Sequence, residues 1–135
     1  MPKAVKTKGK PRKAKFGYKG HYGMELILDL KGCDLKDLSK KKLRRFFVEL
    51  CDLIDMKRHG EPIYWEDNSG IPHLHGTSGV QLIETSNIVC HPLPMLKAVY
   101  LNVFSCKSFE PEIAIKFCVK FWGAKSYTKI VVPRI

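Results

Sequence analysis

The spacing of apolar residues changes several times along this chain, and the order of these changes limits the folds open to it. Two segments have helical spacing, one from about Leu35 to Met56 and one from Pro111 to near Gly123. Strand-like segments lie around them at 21–30, 80–83, 88–91, 96–104 and 125–132. A short segment, 61–66, is a further strand candidate with Pro62 at its start. Leaving that segment aside, the order β-α-β-β-β-α-β predicts a two-layer α/β sandwich, with a largely antiparallel sheet and two helices on one face.

The segment 96–104 has apolar residues on both of its faces, since Ala98 and Tyr100 alternate with Val99, Leu101 and Val103. A sheet with helices on one face leaves its other face open, so something else should cover it. We therefore expect a homodimer.

The positive charge is concentrated at the N-terminus. Of a formal net charge of +11, seven charges come from lysines and arginines in the first sixteen residues, and no acidic residue precedes Glu25. This composition predicts a disordered basic tail at 1–16 and a folded domain at 17–135. A solvated tail is the favoured interpretation, and weak contact with nucleic acid or another polyanion is the alternative.

Several classes of protein are disfavoured by the sequence. No apolar run has the length of a membrane span, and the basic N-terminus lacks the apolar stretch of a secretory signal. The five cysteines are scattered without a Cys-x-x-Cys pair, which favours buried thiols in a reducing cytoplasm over a zinc site or a disulfide framework. His73 and His75 have no acidic or cysteine partner beside them, so we expect a polar loop and no metal.

Four polar residues between Gly76 and Cys106 stand at fixed intervals. Ser78 lies in a Gly-x-Ser-Gly turn, Ser86 follows it by eight residues, and His91 and Cys106 follow Ser86 by five and twenty. In these intervals the chain resembles the prokaryotic S-adenosylmethionine decarboxylases. Residues 23–34 also resemble the opening strand of that family.

The resemblance implies a proenzyme that cuts its own backbone between Thr85 and Ser86. A serine hydroxyl that attacks the preceding carbonyl converts an amide into an ester, and elimination of the ester leaves a pyruvoyl group in place of Ser86. That ketone forms a Schiff base with a substrate amine and accepts electrons when carbon dioxide leaves, as in other covalent catalysis. By resemblance, His91 carries protons during cleavage, Ser78 stabilises the intermediate, and Cys106 protonates the decarboxylated carbon.

The implied function is a pyruvoyl-dependent carboxy-lyase that acts on S-adenosylmethionine for spermidine biosynthesis. In the family, two sheets face each other and the active sites lie near the interface, which agrees with the expected homodimer. Substrate-binding candidates are Glu25, Tyr64 and Trp65.

This chain departs from the family pattern around the cleavage site and in the expected pocket. Thr85 and Asn87 stand where the family has glutamate and histidine, Glu25 replaces a histidine, and Pro72 replaces an aromatic residue. Residues 92–95 read Pro-Leu-Pro-Met in place of Thr-Trp-Pro-Glu. Two alternatives therefore stay open: an arginine or ornithine decarboxylase of the same fold, and a non-processing homologue with a binding or regulatory role.

Overall fold

The computed structural model describes residues 14–135. In chain order its elements are β1 (Lys15–Phe16), β2 (Gly23–Lys31), α1 (Lys40–Leu53), β3 (Ile63–Asp67), β4 (Gly76–Ile83), β5 (Ser86–Leu93), β6 (Ala98–Ser105), β7 (Lys107–Ser108), α2 (Pro111–Trp122) and β8 (Ser126–Arg134). A short 3-10 turn, Pro94–Leu96, joins β5 to β6.

The main sheet has six strands in the order β3-β4-β5-β6-β2-β8, and every neighbouring pair is antiparallel. The predicted sandwich is therefore confirmed. The strand candidate at 61–66 forms β3 (Ile63–Asp67) at one edge of this sheet, so that four strands of the main sheet lie between the helices in sequence where the predicted order had three.

The two helices pack on the same face of this sheet. Alternate residues of β2, from Met24 to Leu30, are fully buried in one core with apolar residues of α1 and α2. At the centre, the Phe46 ring has four aromatic neighbours with centroids 5.2–5.8 Å away: Phe47, Phe117, Phe121 and Trp122. This cluster packs the two helices against each other.

The helix ends show why the sequence signals work only in part. Ser39 caps α1, its hydroxyl accepting a hydrogen bond from the backbone N–H of Lys42 at 3.0 Å, so the helix begins five residues later than predicted. Pro111 begins α2 as predicted. Gly123 ends it with a φ of +63°, a conformation that glycine adopts without steric cost.

The basic residues in the first turns of α1 are engaged with the protein's own acidic and aromatic side chains. Lys42 pairs with Asp37 at 2.7 Å, and Arg44 pairs with Glu61 at 2.6 Å. Arg45 lies over the Phe121 ring, 4.6 Å from its centroid.

The folded domain begins before residue 17. β1 pairs with β7, and the backbone N–H of Ala14 donates to Asp55 Oδ2 at 3.2 Å. Lys15 and Phe16, which the sequence placed in the tail, are therefore part of the domain's small second sheet. Residues 1–13 of the predicted tail, with its suggested polyanion contact, lie outside the described residues. In the part of the chain that is described, no helix has the length and hydrophobicity needed to cross a membrane.

Candidate active site

The Thr85–Ser86 peptide bond lies at the turn between β4 and β5. Ile83 pairs with Ser86 across the hairpin, so that Glu84 and Thr85 form a two-residue connection. Ser86 has a φ of +156°, in a region that residues with a side chain rarely adopt. The backbone is therefore strained at Ser86, the residue at which the family resemblance predicts cleavage.

The carbonyl group of Thr85 is fixed by the end of β6. The backbone N–H of Cys106 donates to the Thr85 carbonyl oxygen at 3.1 Å, and Ser86 pairs with Ser105 in the sheet. The Cys106 thiol is free and half-buried. The β5–β6 pairing thus brings the backbone of Cys106 next to the Thr85–Ser86 bond, although Ser86 and Cys106 are twenty positions apart in sequence.

Ser105 and Met56 are site residues that the sequence did not indicate. The hydroxyls of Thr85 and Ser105 share a hydrogen bond of 2.8 Å, and each lies 3.5 Å from the sulfur of Met56. Ser105 directly precedes Cys106 and is fully buried, which is unusual for serine. A serine at the end of an apolar strand gives no signal by itself, because its partners come from a distant turn and from the segment that follows α1.

Ser78 and His91 form a second pair, on the adjacent strands β4 and β5. Their Oγ and Nδ1 atoms share a hydrogen bond of 2.5 Å. His91 is half-buried, and this burial lowers the pKa of its imidazole below the ordinary histidine value. His91 is therefore neutral near pH 7 and able to accept a proton.

The two pairs lie at different places in the protomer. His91 is five residues along an extended strand from Ser86, a distance of about 16 Å between backbone positions. One protomer thus brings Ser86 to Cys106 and Ser78 to His91, but does not bring the two pairs together.

The three substrate-binding candidates do not all lie on one face of the sheet. Trp65 pairs with Ser78 in the sheet and is 70% exposed on the open face. Tyr64 lies on the helix-bearing face, against the core and near Lys40. Glu25 lies on the open face, with hydrogen bonds from Asn102 at 2.9 Å and Arg134 at 2.8 Å.

The remaining candidate groups are His75 and the cysteines, and their contacts and burial are those of structural residues. His75 accepts a hydrogen bond from the backbone N–H of Gly70 within the β3–β4 loop, and no metal-binding cluster occurs among residues 14–135. Four of the five cysteines are buried, as predicted. Burial raises the pKa of the Cys33 thiol to about 11 and that of Cys51 to about 12, and it also raises the pKa values of Cys90 and Cys118.

The fold and the site define a small antiparallel α/β sandwich with a strained serine at a hairpin turn. Comparison with known proteins agrees with the fold. The family model described as S-adenosylmethionine decarboxylase matches residues 24–135. Two S-adenosylmethionine decarboxylase proenzymes, from Anoxybacillus flavithermus and Geobacillus kaustophilus, are each 26% identical over 113 residues, covering 83% of this chain and 86% of the relative.

A solved structure has the same fold. The adenosylmethionine decarboxylase from Aquifex aeolicus superposes with a TM-score of 0.70 at 20% identity, over 84% of this chain and 91% of that one. Because the family model covers most of the sequence, the chain belongs to the S-adenosylmethionine decarboxylase family.

Proposed function

We propose that this protein is a self-cleaving, pyruvoyl-dependent decarboxylase whose cofactor derives from Ser86. The observation that carries the proposal is the Thr85–Ser86 bond, which lies at a strained turn with its carbonyl oxygen held by the Cys106 N–H. A carbonyl fixed in this way is polarised for attack, because the N–H group stabilises the negative charge that develops on its oxygen.

Cleavage proceeds in three steps. Ser86 Oγ attacks the Thr85 carbonyl carbon, the C–N bond breaks, and the freed nitrogen takes a proton, which leaves an ester. A base then removes the Cα proton of Ser86, the Cβ–Oγ bond of the ester breaks as a Cα=Cβ double bond forms, and Thr85 becomes a carboxylate while residue 86 becomes dehydroalanine. Water hydrolyses the tautomeric imine, releasing ammonia and leaving the pyruvoyl group.

The surroundings of Ser86 fit a pyruvoyl group. When present, that group supplies a ketone that binds a substrate α-amine and withdraws electrons as carbon dioxide leaves. Cys106 follows Ser105, the strand partner of Ser86, and its half-buried thiol is the group that we propose delivers a proton to the substrate carbon.

Ser78 and His91 supply the remaining groups from a second protomer. They are too far from Ser86 to act within one chain, and the sheet face opposite the helices exposes large apolar side chains, with Ile63 62% and Ile130 58% exposed. Two copies packed through these faces would bury this surface and bring His91 of each copy toward Ser86 of the other. We therefore propose a homodimer with composite sites.

S-adenosylmethionine is the proposed substrate, and supply of aminopropyl groups for spermidine is the proposed role, in the cytoplasm. The contacts of Glu25 support this choice over arginine. Its carboxylate already bonds Arg134 and Asn102, so it is not free for the guanidinium of a substrate. Exposed Trp65 offers an aromatic surface of the kind on which an adenine can stack.

Intact-mass analysis of the purified chain tests the proposal. We expect two fragments, 1–85 and 86–135, with the second blocked to Edman degradation, whereas Ser86→Ala should stay whole. A wild-type chain that stays whole after prolonged incubation would contradict the proposal and favour a non-processing binding or regulatory protein.

Release of labelled carbon dioxide from carboxyl-labelled S-adenosylmethionine, arginine and ornithine, compared on processed protein, tests the substrate. We expect release from S-adenosylmethionine, and Ser86→Ala serves as the blank. Release from arginine or ornithine alone would overturn the choice of substrate while leaving the decarboxylase chemistry intact.

A further inference from the structure

The Thr85 side chain is held in a closed group of three buried or half-buried residues. Its hydroxyl bonds Ser105 Oγ at 2.8 Å, and both hydroxyls approach Met56 Sδ at 3.5 Å. The backbone N–H of Lys107 donates to Ser105 Oγ at 2.9 Å. One hydroxyl proton therefore lies in the hydrogen bond between the two oxygens, and the other is donated to the Met56 sulfur.

The same residue is held a second time through its backbone. Cys106, adjacent to Ser105, donates to the Thr85 carbonyl oxygen. Thr85 is thus anchored at its side chain and at its carbonyl by two consecutive residues, on the acyl side of the bond to be cut. On the other side, Ser86 has the strained φ of +156°.

We propose that Ser105 and Thr85 are positioning residues for self-cleavage, with Met56 completing the group, and that they act in the ester-forming step. The inference rests on the proposed function. The hydrogen bond between the Thr85 and Ser105 hydroxyls fixes the orientation of the Thr85 carbonyl group, while the strained φ belongs to the Ser86 backbone. The Thr85 carbonyl carbon is thereby kept in one orientation for the Ser86 hydroxyl, and a misplacement of about 1 Å can lower a rate by about a hundredfold.

A threonine at position 85 can serve this purpose because its hydroxyl is short. It reaches Ser105 at the strand end directly, and Ser105 is fully buried, so water does not compete for the bond. The Thr85 methyl group is not part of the hydrogen-bonded group. Serine at position 85 should therefore support cleavage, whereas valine, which lacks the hydroxyl, should not support it equally.

The test compares first-order cleavage rates of freshly folded chains. Thr85→Val and Ser105→Ala should each slow cleavage about tenfold or more. Thr85→Ser and Ser105→Thr keep a hydroxyl and should stay within about threefold of wild type, by the same positional reasoning. Ser126→Ala, at an exposed serine of β8, is the matched control and should cleave at the wild-type rate.

Hydroxylamine separates the ester-forming step from the elimination step. It attacks an ester carbonyl and cuts the chain, giving a Thr85 hydroxamate and a free Ser86 amine, but it leaves an ordinary amide whole. If the hydroxyl pair acts in ester formation, hydroxylamine should not restore cutting in Thr85→Val or Ser105→Ala. A role in stability alone would lower the denaturation midpoint but leave the cleavage rate of folded chains unchanged.

Cleavage of Thr85→Val at the wild-type rate would overturn the inference, as would hydroxylamine release of both fragments from that variant. If Ser105→Ala does not fold, the isosteric Thr85→Val and its partner Thr85→Ser decide the question. A wild-type chain that stays whole would overturn the proposed function and this inference together, whereas normal cleavage in both hydroxyl-free variants would overturn the inference alone.

Discussion

His91 lies five residues beyond Ser86 on the same strand, so that these two residues are about 16 Å apart within one protomer. Ser78, by contrast, bonds His91 directly across β4 and β5. The proposed cleavage chemistry therefore needs two copies of the chain, and this requirement can be tested separately from cleavage itself.

Mixed dimers should show which protomer supplies His91. We expect a chain carrying His91→Ala to be cut when it is paired with a chain carrying Ser86→Ala, because the second chain supplies an intact histidine to the first chain's Ser86. Co-expression with different tags, followed by mass analysis, measures this. The His91→Ala homodimer is the control and should stay whole; an uncut His91→Ala chain in the mixed dimer would place His91 in cis.

Single substitutions should separate self-cleavage from decarboxylation, the two parts of the proposed mechanism. His91→Ala should slow cleavage by about a hundredfold or more, the usual contribution of a general acid or base. Cys106→Ala keeps the backbone N–H that bonds Thr85, so it should still cleave but release carbon dioxide more slowly or with faulty reprotonation. Fragment analysis and labelled carbon dioxide give the two readouts. Unchanged cleavage and turnover in both variants would remove these residues from the mechanism.

His91 should titrate below the ordinary histidine pKa of about 6.5, because burial disfavours its charged form. The unfolded chain then binds more protons than the folded chain between the two pKa values. The contribution of His91 to folding stability should be fully present above about pH 6.5 and lost as the pH falls through the folded pKa of His91.

Ring NMR signals of the uncut Ser86→Ala chain measure the His91 titration. The signal that disappears on adding His91→Gln identifies the residue. A midpoint at or above 6.5 would contradict the prediction.

The aromatic cluster should contribute strongly to stability. Phe46→Ala removes a fully buried ring with four aromatic neighbours and should lower the free energy of unfolding by about 3–5 kcal/mol. Phe16→Ala makes the same change at a ring that is 78% exposed and should change the free energy by about 0.5 kcal/mol or less. Urea denaturation of uncut chains compares them; equal losses would contradict the assignment of the core.

The sequence by itself determined the layers and the second helix's ends. The two-residue period of strands and the helical spacing of apolar residues depend on local geometry, so both can be recognised in the sequence without knowledge of tertiary contacts. Pro111 and Gly123 act through their own backbone preferences, and they begin and end α2 as predicted. The pairing of β5 with β6 places Ser86 opposite Ser105, one residue before Cys106, whereas the roles assigned to Ser86 and Cys106 stay predictions.

Only the tertiary structure decided the order of strands, the edge strand β3 and the surroundings of Thr85. Pairing partners depend on which surfaces bury the most apolar area across the whole chain, and a segment with Pro62 at its start gives little local sign of that choice. Ser105 and Met56 reach Thr85 from positions 20 and 29 residues away in sequence, and neither side chain's type indicates that contact. The separation of Ser86 from His91 has the same cause: five residues are close in sequence, but an extended strand converts them into a distance that one protomer cannot bridge.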